Sequence, residues 1–292
     1  MNKELRTYKK LLKILFSSQE QNIKVKDLFY LSDNLGYRAF LKHKDIDLLK
    51  LNLLKTDINK IFNCSKCEFT LMEYNELILT MYKPKEYLNY EPVELTSYEL
   101  LLGYGQEGYI IANMSKYPHL LISGLSNQGK SKMVNYMLKN ISDKADILVL
   151  NGFKEDYKEF VLIRDIKSIE RRIGAIIAPL KKRKRPLYLV IEEMQVISKN
   201  KRLQERLKEL LSVGRHYNIF VIGIIQNATK ENCSFKDLFN CRCSFRQIDT
   251  SSYMVALGTS VEKGLEQREF YYLDLHLNSS KYGLSLKIEN IK

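Results

Sequence analysis

From about residue 98 onward, short apolar runs alternate with segments whose apolar residues recur at helical spacing. The apolar runs that have the length of buried strands are residues 119–124, 145–150, 187–191 and 219–225. The segments with one apolar helical face are residues 130–140, 166–180 and 203–213. This alternation predicts an α/β domain with a mostly parallel sheet, which binds its ligand beyond the carboxyl ends of the strands.

Residues 1–97 carry a different pattern and are predicted to form a separate, small α+β domain. Apolar residues at helical spacing predict helices near residues 3–16 and 44–62. Two predicted strands flank the Tyr74-Asn75 pair. We therefore expect two domains, which cover residues 1–97 and 98–292.

A glycine-rich motif follows the apolar run that ends at Ser123. The motif is Gly124-Leu125-Ser126-Asn127-Gln128-Gly129-Lys130-Ser131, which matches the P-loop pattern G-x-x-x-x-G-K-[ST]. Backbone N–H groups of such a loop surround phosphates, and the N-terminus of the following helix faces the same anion. Because a strand precedes the motif and a helix follows it, this interpretation is favoured over a plain glycine turn. The expected fold is thus a RecA-like P-loop ATPase core.

The expected ligands at this motif are ATP and Mg²⁺. The Lys130 amine is expected to reach the β- and γ-phosphates, and the Ser131 hydroxyl to bind Mg²⁺. Residues 124–132, which end at Lys132, are the predicted nucleotide-binding residues.

Two adjacent acids follow the third predicted strand. Glu192 and Glu193 end an apolar run from Leu187 to Ile191, as in a Walker B strand. Glu192 is the predicted metal-side residue, and Glu193 the predicted general base that polarises the attacking water. The alternative is a strand that ends in two surface acids.

A glutamine ends the next predicted strand. The Gln226 amide is a candidate for sensing the γ-phosphate or orienting water, although glutamines also end strands as simple caps.

Positive charge is concentrated in the part of the chain that holds the P-loop. The chain has 47 lysines and arginines against 34 aspartates and glutamates, a net charge of +13. Residues 1–97 hold 16 basic and 13 acidic residues, which leaves 31 and 21 for the remainder. This surplus indicates a polyanionic partner, for which nucleic acid is the first choice. A proteome rich in lysine is the other explanation.

Five cations are adjacent in the run Lys181-Lys182-Arg183-Lys184-Arg185. Such a run is either a solvated helix end or a surface that contacts DNA phosphates. Nuclear localisation is a third reading of this run, which nothing else in the sequence favours.

Neither the cysteines nor the apolar runs indicate zinc, secretion or a membrane span. The Cys64/Cys67 and Cys241/Cys243 pairs are far apart in sequence, so reduced thiols are favoured over a zinc site. No apolar run reaches the roughly 18–20 residues that a spanning helix needs. A cytoplasmic protein without a membrane span is expected.

Beyond the P-loop, the chain resembles the FtsK/SpoIIIE-type DNA translocases of the FtsK–HerA superfamily from about residue 98 to 275. The matching segments are the hairpin from Leu101 to Gly108, the lead-in Pro118-His119-Leu120-Leu121, the segment Leu148–Lys154, the pair Glu192-Glu193, the stretch from Gly214-Arg215 to Gln226, and Asn240–Phe245. The lead-in and the Gly214-Arg215 stretch are more specific than the P-loop itself.

The resemblance implies roles for particular residues. Lys130 and Ser131 become nucleotide ligands, Glu193 the catalytic acid and Gln226 the sensor. Arg215 and Arg242 become candidates for contacts near the nucleotide or at a subunit interface, where an arginine from a neighbouring subunit would stabilise the γ-phosphate. Which arginine acts in this way stays open.

Four departures from the family pattern stand out. Asn151 and Glu192 each occupy a position where the family usually has Asp. Neither a membrane segment nor a C-terminal winged-helix module is expected. Small versions of this motor suggest a plasmid, phage or integrative element.

The predicted function is an ATP-driven double-stranded DNA translocase, working as a hexameric ring in conjugative transfer or replication. Its expected partners are duplex DNA, further copies of the chain, and a relaxase, replication protein or membrane transfer machinery. The alternatives are a helicase or helicase loader, and a slowly hydrolysing coupling adaptor.

Overall fold

A computed structural model describes residues 3–18, 22–31, 36–45, 47–84, 88–105, 108–179, 181–195, 200–229, 231, 235–261, 264–277 and 280–288. The chain divides into two compact units, Met1–Glu86 and Tyr87–Lys292. Each unit has its own hydrophobic core.

In the described part of the chain, the first unit combines two helices with a four-stranded antiparallel sheet. In chain order its elements are α1 (Lys3–Ser18), β1 (Ile23–Tyr30), β2 (Gly36–His43), α2 (Leu48–Ile61), β3 (Lys66–Leu71) and β4 (Glu76–Tyr82). The strands lie in the order β1-β2-β4-β3. α1 buries Leu5, Leu12, Leu15 and Phe16 on one face, which is the amphipathic pattern that the sequence predicts.

The second unit contains ten strands and four α-helices among its described residues. The strands are β5 (Glu99–Gly105), β6 (Gly108–Asn113), β7 (Leu120–Ser123), β8 (Asp146–Leu150), β9 (Val161–Ile163), β10 (Leu187–Ile191), β11 (Ile219–Ile225), β12 (Cys241–Ser244), β13 (Glu269–Asp274) and β14 (Lys281–Leu284). The helices are α3 (Lys130–Ile141), α4 (Ile166–Ile177), α5 (Lys201–Val213) and α6 (Thr250–Leu257). The single sheet has the order β6-β5-β14-β13-β12-β7-β11-β10-β8-β9.

The six strands from β12 to β9 pair in parallel, whereas the four from β6 to β13 form an antiparallel flank. The mostly parallel α/β fold is thereby confirmed. Strand direction also gives the sheet two functionally different edges, because the carboxyl ends of all six parallel strands lie along one of them. We call these the carboxyl edge and the amino edge.

The boundary between the units lies earlier than residue 97, where the sequence places it. The Tyr90 hydroxyl and the Val93 amide both donate to the Asn140 side chain on α3, each at 3.2 Å. Leu95 is buried in the core of the second unit. Residues 88–97 therefore belong to the second unit, because their apolar side chains and polar backbone are satisfied there.

Among the described residues, no helix combines the length and the apolar character needed to cross a membrane.

Candidate functional site

The P-loop motif forms the turn between β7 and α3, at the carboxyl edge. Gly124 and Gly129 both have positive φ, 142° and 103°. A Cβ on Gly124 would lie 2.7 Å from the Cβ of Phe245, so a side chain is excluded there by sterics as well as by backbone conformation. The Leu125 amide donates to the Arg246 carbonyl oxygen at 2.9 Å, which fixes the loop against the residues after β12.

Lys130, the first residue of α3, is buried in the loop. Its amine donates to the carbonyl oxygens of Gly124 and Leu125 at 2.6 and 2.7 Å. Burial lowers the pKa of Lys130 to about 8, while the charges of Glu192 and Glu193 act in the opposite direction. The amine therefore lies inside the loop that would surround phosphates.

The metal-side acid predicted from the sequence lies next to the P-loop hydroxyl. The Ser131 hydroxyl donates to Glu192 Oε1 at 3.1 Å, and the Tyr157 hydroxyl donates to the same oxygen. Burial raises the pKa of Glu192, and the hydrogen bonds from Tyr157 and Ser131 lower it. Only 7% of Glu192 is exposed.

Glu193 and Gln226 are brought together at the ends of the neighbouring strands β10 and β11. Gln226 Nε2 donates to Glu193 Oε1 at 2.7 Å, and Gln226 Oε1 accepts from the Ser126 hydroxyl at 3.3 Å. Because β11 lies between β7 and β10, Gln226 connects the P-loop to the predicted general base. Glu193 itself has a φ of 52°, an uncommon conformation that is held at this turn.

The oxygen donors at this edge fit Mg²⁺. The Ser131 hydroxyl and the Glu192 carboxylate are 3.1 Å apart, and Mg²⁺ is typically held by one or two such groups together with substrate phosphates. Within the described part of the chain, no group of three or more His, Cys, Asp or Glu side chains forms a protein-only metal cage. This donor set suits a metal that arrives with a nucleotide.

A cavity of about 610 Å³ adjoins the P-loop and is lined by residues far away in sequence. Besides Lys130, Ser131 and Lys132, it is bordered by Gln267 and Arg268, which precede β13, and by residues 285–288 after β14. Pockets of this size commonly hold small molecules.

Gln267 and Arg268 also fasten the P-loop. The Arg268 amide donates to the Gln128 carbonyl oxygen at 3.1 Å, and Gln267 Nε2 donates to the Asn127 carbonyl oxygen at 2.8 Å. Arg268 has a φ of 72°. Neither residue is predicted from the sequence, since no motif surrounds them and only the pairing of β12 with β13 brings them here.

The two predicted arginines do not reach the P-loop of their own chain. Arg215 lies in a 3₁₀-helix, Gly214–Tyr217, that precedes β11, so it is exposed at the amino edge. Arg242 lies within β12 and bonds to Asp237 Oδ1, to the Leu257 carbonyl oxygen and to the Phe239 carbonyl oxygen. Neither arginine is therefore placed as a contact to the nucleotide of its own subunit, because Arg215 precedes β11 and the guanidinium of Arg242 is engaged by other partners. A role at a subunit interface stays a prediction.

The basic run 181–185 also lies at the amino edge, before β10. The Arg183 amide donates to the Tyr217 carbonyl oxygen at 3.2 Å, so the run is attached to the 3₁₀-helix that carries Arg215. Arg183 and Arg185 both pair with Asp146, whereas Lys181, Lys182 and Lys184 are exposed. The arginines thus have structural partners, and the lysines face solvent.

His119 of the lead-in has a structural role within the sheet. Its Nδ1 accepts a hydrogen bond from the Val221 amide at 3.0 Å, and its side chain is buried. Burial lowers the pKa of His119 to about 4, so the imidazole is neutral. It therefore connects the strand of the P-loop to the strand of Gln226.

In sequence, the chain is similar to proteins that are named as DNA translocases. No protein-family model matches the chain. A stretch of 101 residues, 34% of this chain, is 32% identical to "DNA translocase FtsK" of Mycobacterium leprae (strain TN). A stretch of 99 residues is equally similar to "DNA translocase FtsK" of Mycobacterium tuberculosis (strain ATCC 25618 / H37Rv). Each match spans 12% of the relative's length.

Solved structures share the fold. The pCW3 conjugation coupling protein TcpA, in a monomer form with ATPγS, has a TM-score of 0.82 at 12% identity over 99% of this chain and 96% of that one. EssC (ATPases 2 and 3) from Geobacillus thermodenitrificans has a TM-score of 0.56 at 15% identity, over 86% and 55%. The cytoplasmic domain of Thermomonospora curvata EccC has a TM-score of 0.56 at 13% identity, over 71% and 29%.

The parallel sheet, the strand-to-helix glycine loop and the paired acids define a P-loop protein of the α/β class. Over about a third of its length the chain is similar in sequence to FtsK DNA translocases, and it shares its fold with TcpA, EssC and EccC.

Proposed function

We propose that this protein is an ATP-driven motor that moves double-stranded DNA. The observation that carries the proposal is the connection of Ser126, Gln226 and Glu193 by hydrogen bonds of 3.3 and 2.7 Å at the ends of three adjacent strands. Such a connection couples a phosphate-binding loop to a general base, and a motor needs this coupling to tie hydrolysis to movement. The FtsK relatives are named as DNA translocases, which supports DNA as the track.

The proposed hydrolysis uses three side chains of this edge. The Lys130 amine leaves the carbonyl oxygens of its own loop and binds the β- and γ-phosphates. The Glu193 carboxylate accepts a proton from the attacking water, and Gln226 holds that carboxylate in place. Ser131 and Glu192 would hold Mg²⁺, which would supply charge neutralisation for the phosphate oxygens.

DNA contact is assigned to backbone phosphates. Residues 98–292 hold 31 basic and 21 acidic residues, and the exposed amines of Lys181, Lys182 and Lys184 lie together at the amino edge. Contacts of this kind carry no sequence information and weaken steeply with salt. Replacing these three lysines with glutamine is expected to lower the salt dependence of duplex binding.

Arg215 is proposed to act across a subunit interface. It is exposed at the amino edge, remote from the P-loop of its own chain, whereas Arg242 is engaged by Asp237 and two carbonyl oxygens. An arginine that completes a neighbour's site requires an oligomer, and a homohexameric ring around duplex DNA is the proposed form.

The proposed setting is conjugative transfer or replication of a plasmid, phage or integrative element. The fold shared with a conjugation coupling protein supports transfer over replication. A relaxase or replication protein and a membrane transfer machinery are the proposed partners, reached from the cytoplasm.

Displacement of a triplex-forming oligonucleotide from linear duplex DNA tests movement directly. The parent protein with ATP is expected to displace the third strand. The Glu193→Gln variant is expected to bind ATP but to leave the third strand in place. Displacement on forked DNA with a preference for single strands would instead favour a helicase or its loader. Unchanged function of Glu193→Gln would favour a coupling adaptor that hydrolyses slowly.

A further inference from the structure

Two residues that directly follow strands of the sheet differ from the family that the chain resembles. Asn151 after β8 and Glu192 after β10 each stand where that family usually has Asp. The two residues are in contact, because Asn151 Nδ2 donates to the Glu192 carbonyl oxygen at 3.1 Å. Asn151 also has a φ of 60°, a left-handed conformation at the start of the segment that carries Tyr157. The backbone of Glu192 is therefore held by the same segment that reaches its side chain.

Tyr157 reaches the Glu192 carboxylate from a closed seat. Its side chain is 1% exposed, and its hydroxyl donates to Glu192 Oε1, the oxygen that also accepts from Ser131. Gly152 makes room for the ring, since a Cβ there would lie 2.9 Å from Tyr157 Cδ2 and 2.8 Å from Val149 Cγ1. The ring can therefore occupy this place only beside a glycine.

The loop that carries Tyr157 is fastened to α3, the helix that begins at Lys130. Asn135 Nδ2 donates to the Asp156 carbonyl oxygen at 2.6 Å. Two residues beyond Tyr157, Glu159 pairs with Lys139 of the same helix at 3.2 Å. The hydroxyl of Tyr157 thus has a fixed position relative to the P-loop.

We propose that Tyr157 is a positioning residue of the divalent-cation site. Its hydroxyl holds the Glu192 carboxylate next to the Ser131 hydroxyl. A glutamate has one more rotatable bond than the usual aspartate, and the Tyr157 hydroxyl removes that freedom. The inference rests on the proposed nucleotide site. Groups that orient a metal ligand in this way typically contribute about 10- to 100-fold to metal affinity.

Tyr157→Phe tests the inference, because it removes only the hydroxyl and keeps the ring in its seat. The readout is the Mg²⁺ concentration at half-maximal binding of a fluorescent ATP analogue to the full chain, with binding in EDTA measured alongside. We expect that concentration to rise about tenfold or more, with binding in EDTA unchanged. The matched control is Tyr188→Phe, since Tyr188 is also buried and its hydroxyl bonds to the Ser97 carbonyl oxygen at 2.8 Å.

A double-mutant cycle with Glu192→Asp separates positioning from general stability. Because the shorter acid lies farther from the hydroxyl, Tyr157→Phe is expected to have little further effect in that background. Asn135→Ala, on the partly exposed helix surface, provides a second route and is expected to raise the Mg²⁺ requirement severalfold.

The inference would be overturned if the parent and Tyr157→Phe required the same Mg²⁺ concentration. It would also be overturned if Tyr157→Phe and Tyr188→Phe raised that concentration equally. If Tyr157→Phe does not fold, an unchanged requirement in Asn135→Ala would overturn it. A parent protein that binds no nucleotide would instead overturn the proposed function, so the two failures are distinguishable.

Discussion

The side-chain amide of Gln226 donates a 2.7 Å hydrogen bond to the carboxylate of Glu193, across the boundary between β11 and β10. The same amide accepts from Ser126 of the P-loop. The state of the phosphate-binding loop is thereby linked to the orientation of the base that would activate water.

This relationship predicts that Gln226→Ala impairs hydrolysis more than binding. Removing the amide frees the Glu193 carboxylate without touching Lys130, so we expect ATP hydrolysis to fall about 100-fold while ATP affinity stays within a few-fold. Single-turnover hydrolysis and equilibrium binding measure the two quantities. Asn227→Ala is the control on the adjacent, exposed position. An equal loss of binding and hydrolysis would contradict the assigned role.

The lowered pKa of Lys130 predicts that nucleotide binding takes up a proton. The amine has a pKa of about 8 in its buried position, and phosphates that contact it would favour the charged form and raise that pKa toward 10.5. Between these two values the complex holds a proton that the free protein lacks. ATP affinity should therefore fall as the pH rises from 8 to 10. Calorimetry at pH 9 in buffers of different ionisation enthalpy measures the uptake, and binding without uptake would contradict the prediction.

Burial of neutral His119 predicts a pH-dependent loss of stability. In the unfolded chain the imidazole takes up a proton near pH 6.5, whereas in the folded protein it does so only near pH 4. The free energy of unfolding should thus fall by about 3 kcal/mol as the pH drops through this window. In His119→Asn this part of the pH dependence should be missing, because an amide does not titrate.

Urea unfolding at pH 7 and pH 4.5 measures the difference for the parent, His119→Asn and the exposed control His216→Asn. Equal pH dependence in the parent and His119→Asn would show that the histidine is not held neutral.

Much of this architecture is predictable from the sequence, because the determinants are local. Apolar runs of strand length predict β7, β8, β10 and β11, and the family hairpin predicts β5 and β6. β1 is not predicted, since a bulge between Val25 and Asp27 interrupts the alternation of inward residues. The helix expected from residue 44 begins only at Leu48, because Asp47 caps it by accepting from the Leu49 and Lys50 amides.

The site is predictable only in part, because some of its residues reach it through contacts between segments that are distant in sequence. Lys130, Ser131, Glu192, Glu193 and Gln226 follow strands that end at one edge, so the order of the elements places them together. Tyr157 and Arg268 reach the same site through contacts that no short motif encodes. Their positions depend on how the loop after β8 and the strand β13 pack, and this packing is known only once the sheet order is known.

Replacing Arg215 and replacing Arg242 should have different effects, one on hydrolysis and the other on stability. Arg215→Ala should leave folding and ATP binding intact but lower hydrolysis about 1,000-fold, as the loss of an arginine supplied in trans does. Arg242→Ala should instead lower the free energy of unfolding by about 1–3 kcal/mol, because the carbonyl oxygens of the buried residues Phe239 and Leu257 lose a charged donor. Hydrolysis assays and urea unfolding distinguish them.

Mixing two inactive variants tests whether Arg215 acts at the site of a neighbouring subunit. Arg215→Ala and Lys130→Ala are each inactive by this account, but a mixed ring contains interfaces with an intact Lys130 on one side and an intact Arg215 on the other. Partial recovery of hydrolysis is expected from the mixture. A mixture as inactive as its parts would contradict the assignment.

The central claim, that ATP hydrolysis at this P-loop is coupled to duplex DNA, is tested most directly by the rate of hydrolysis with and without duplex DNA. The account predicts that duplex stimulates the parent protein severalfold, that single strands stimulate it less, and that rising salt abolishes the effect. Lys130→Ala should show no hydrolysis under any of these conditions. A parent rate that is the same with duplex, with single strands and without DNA would contradict the account.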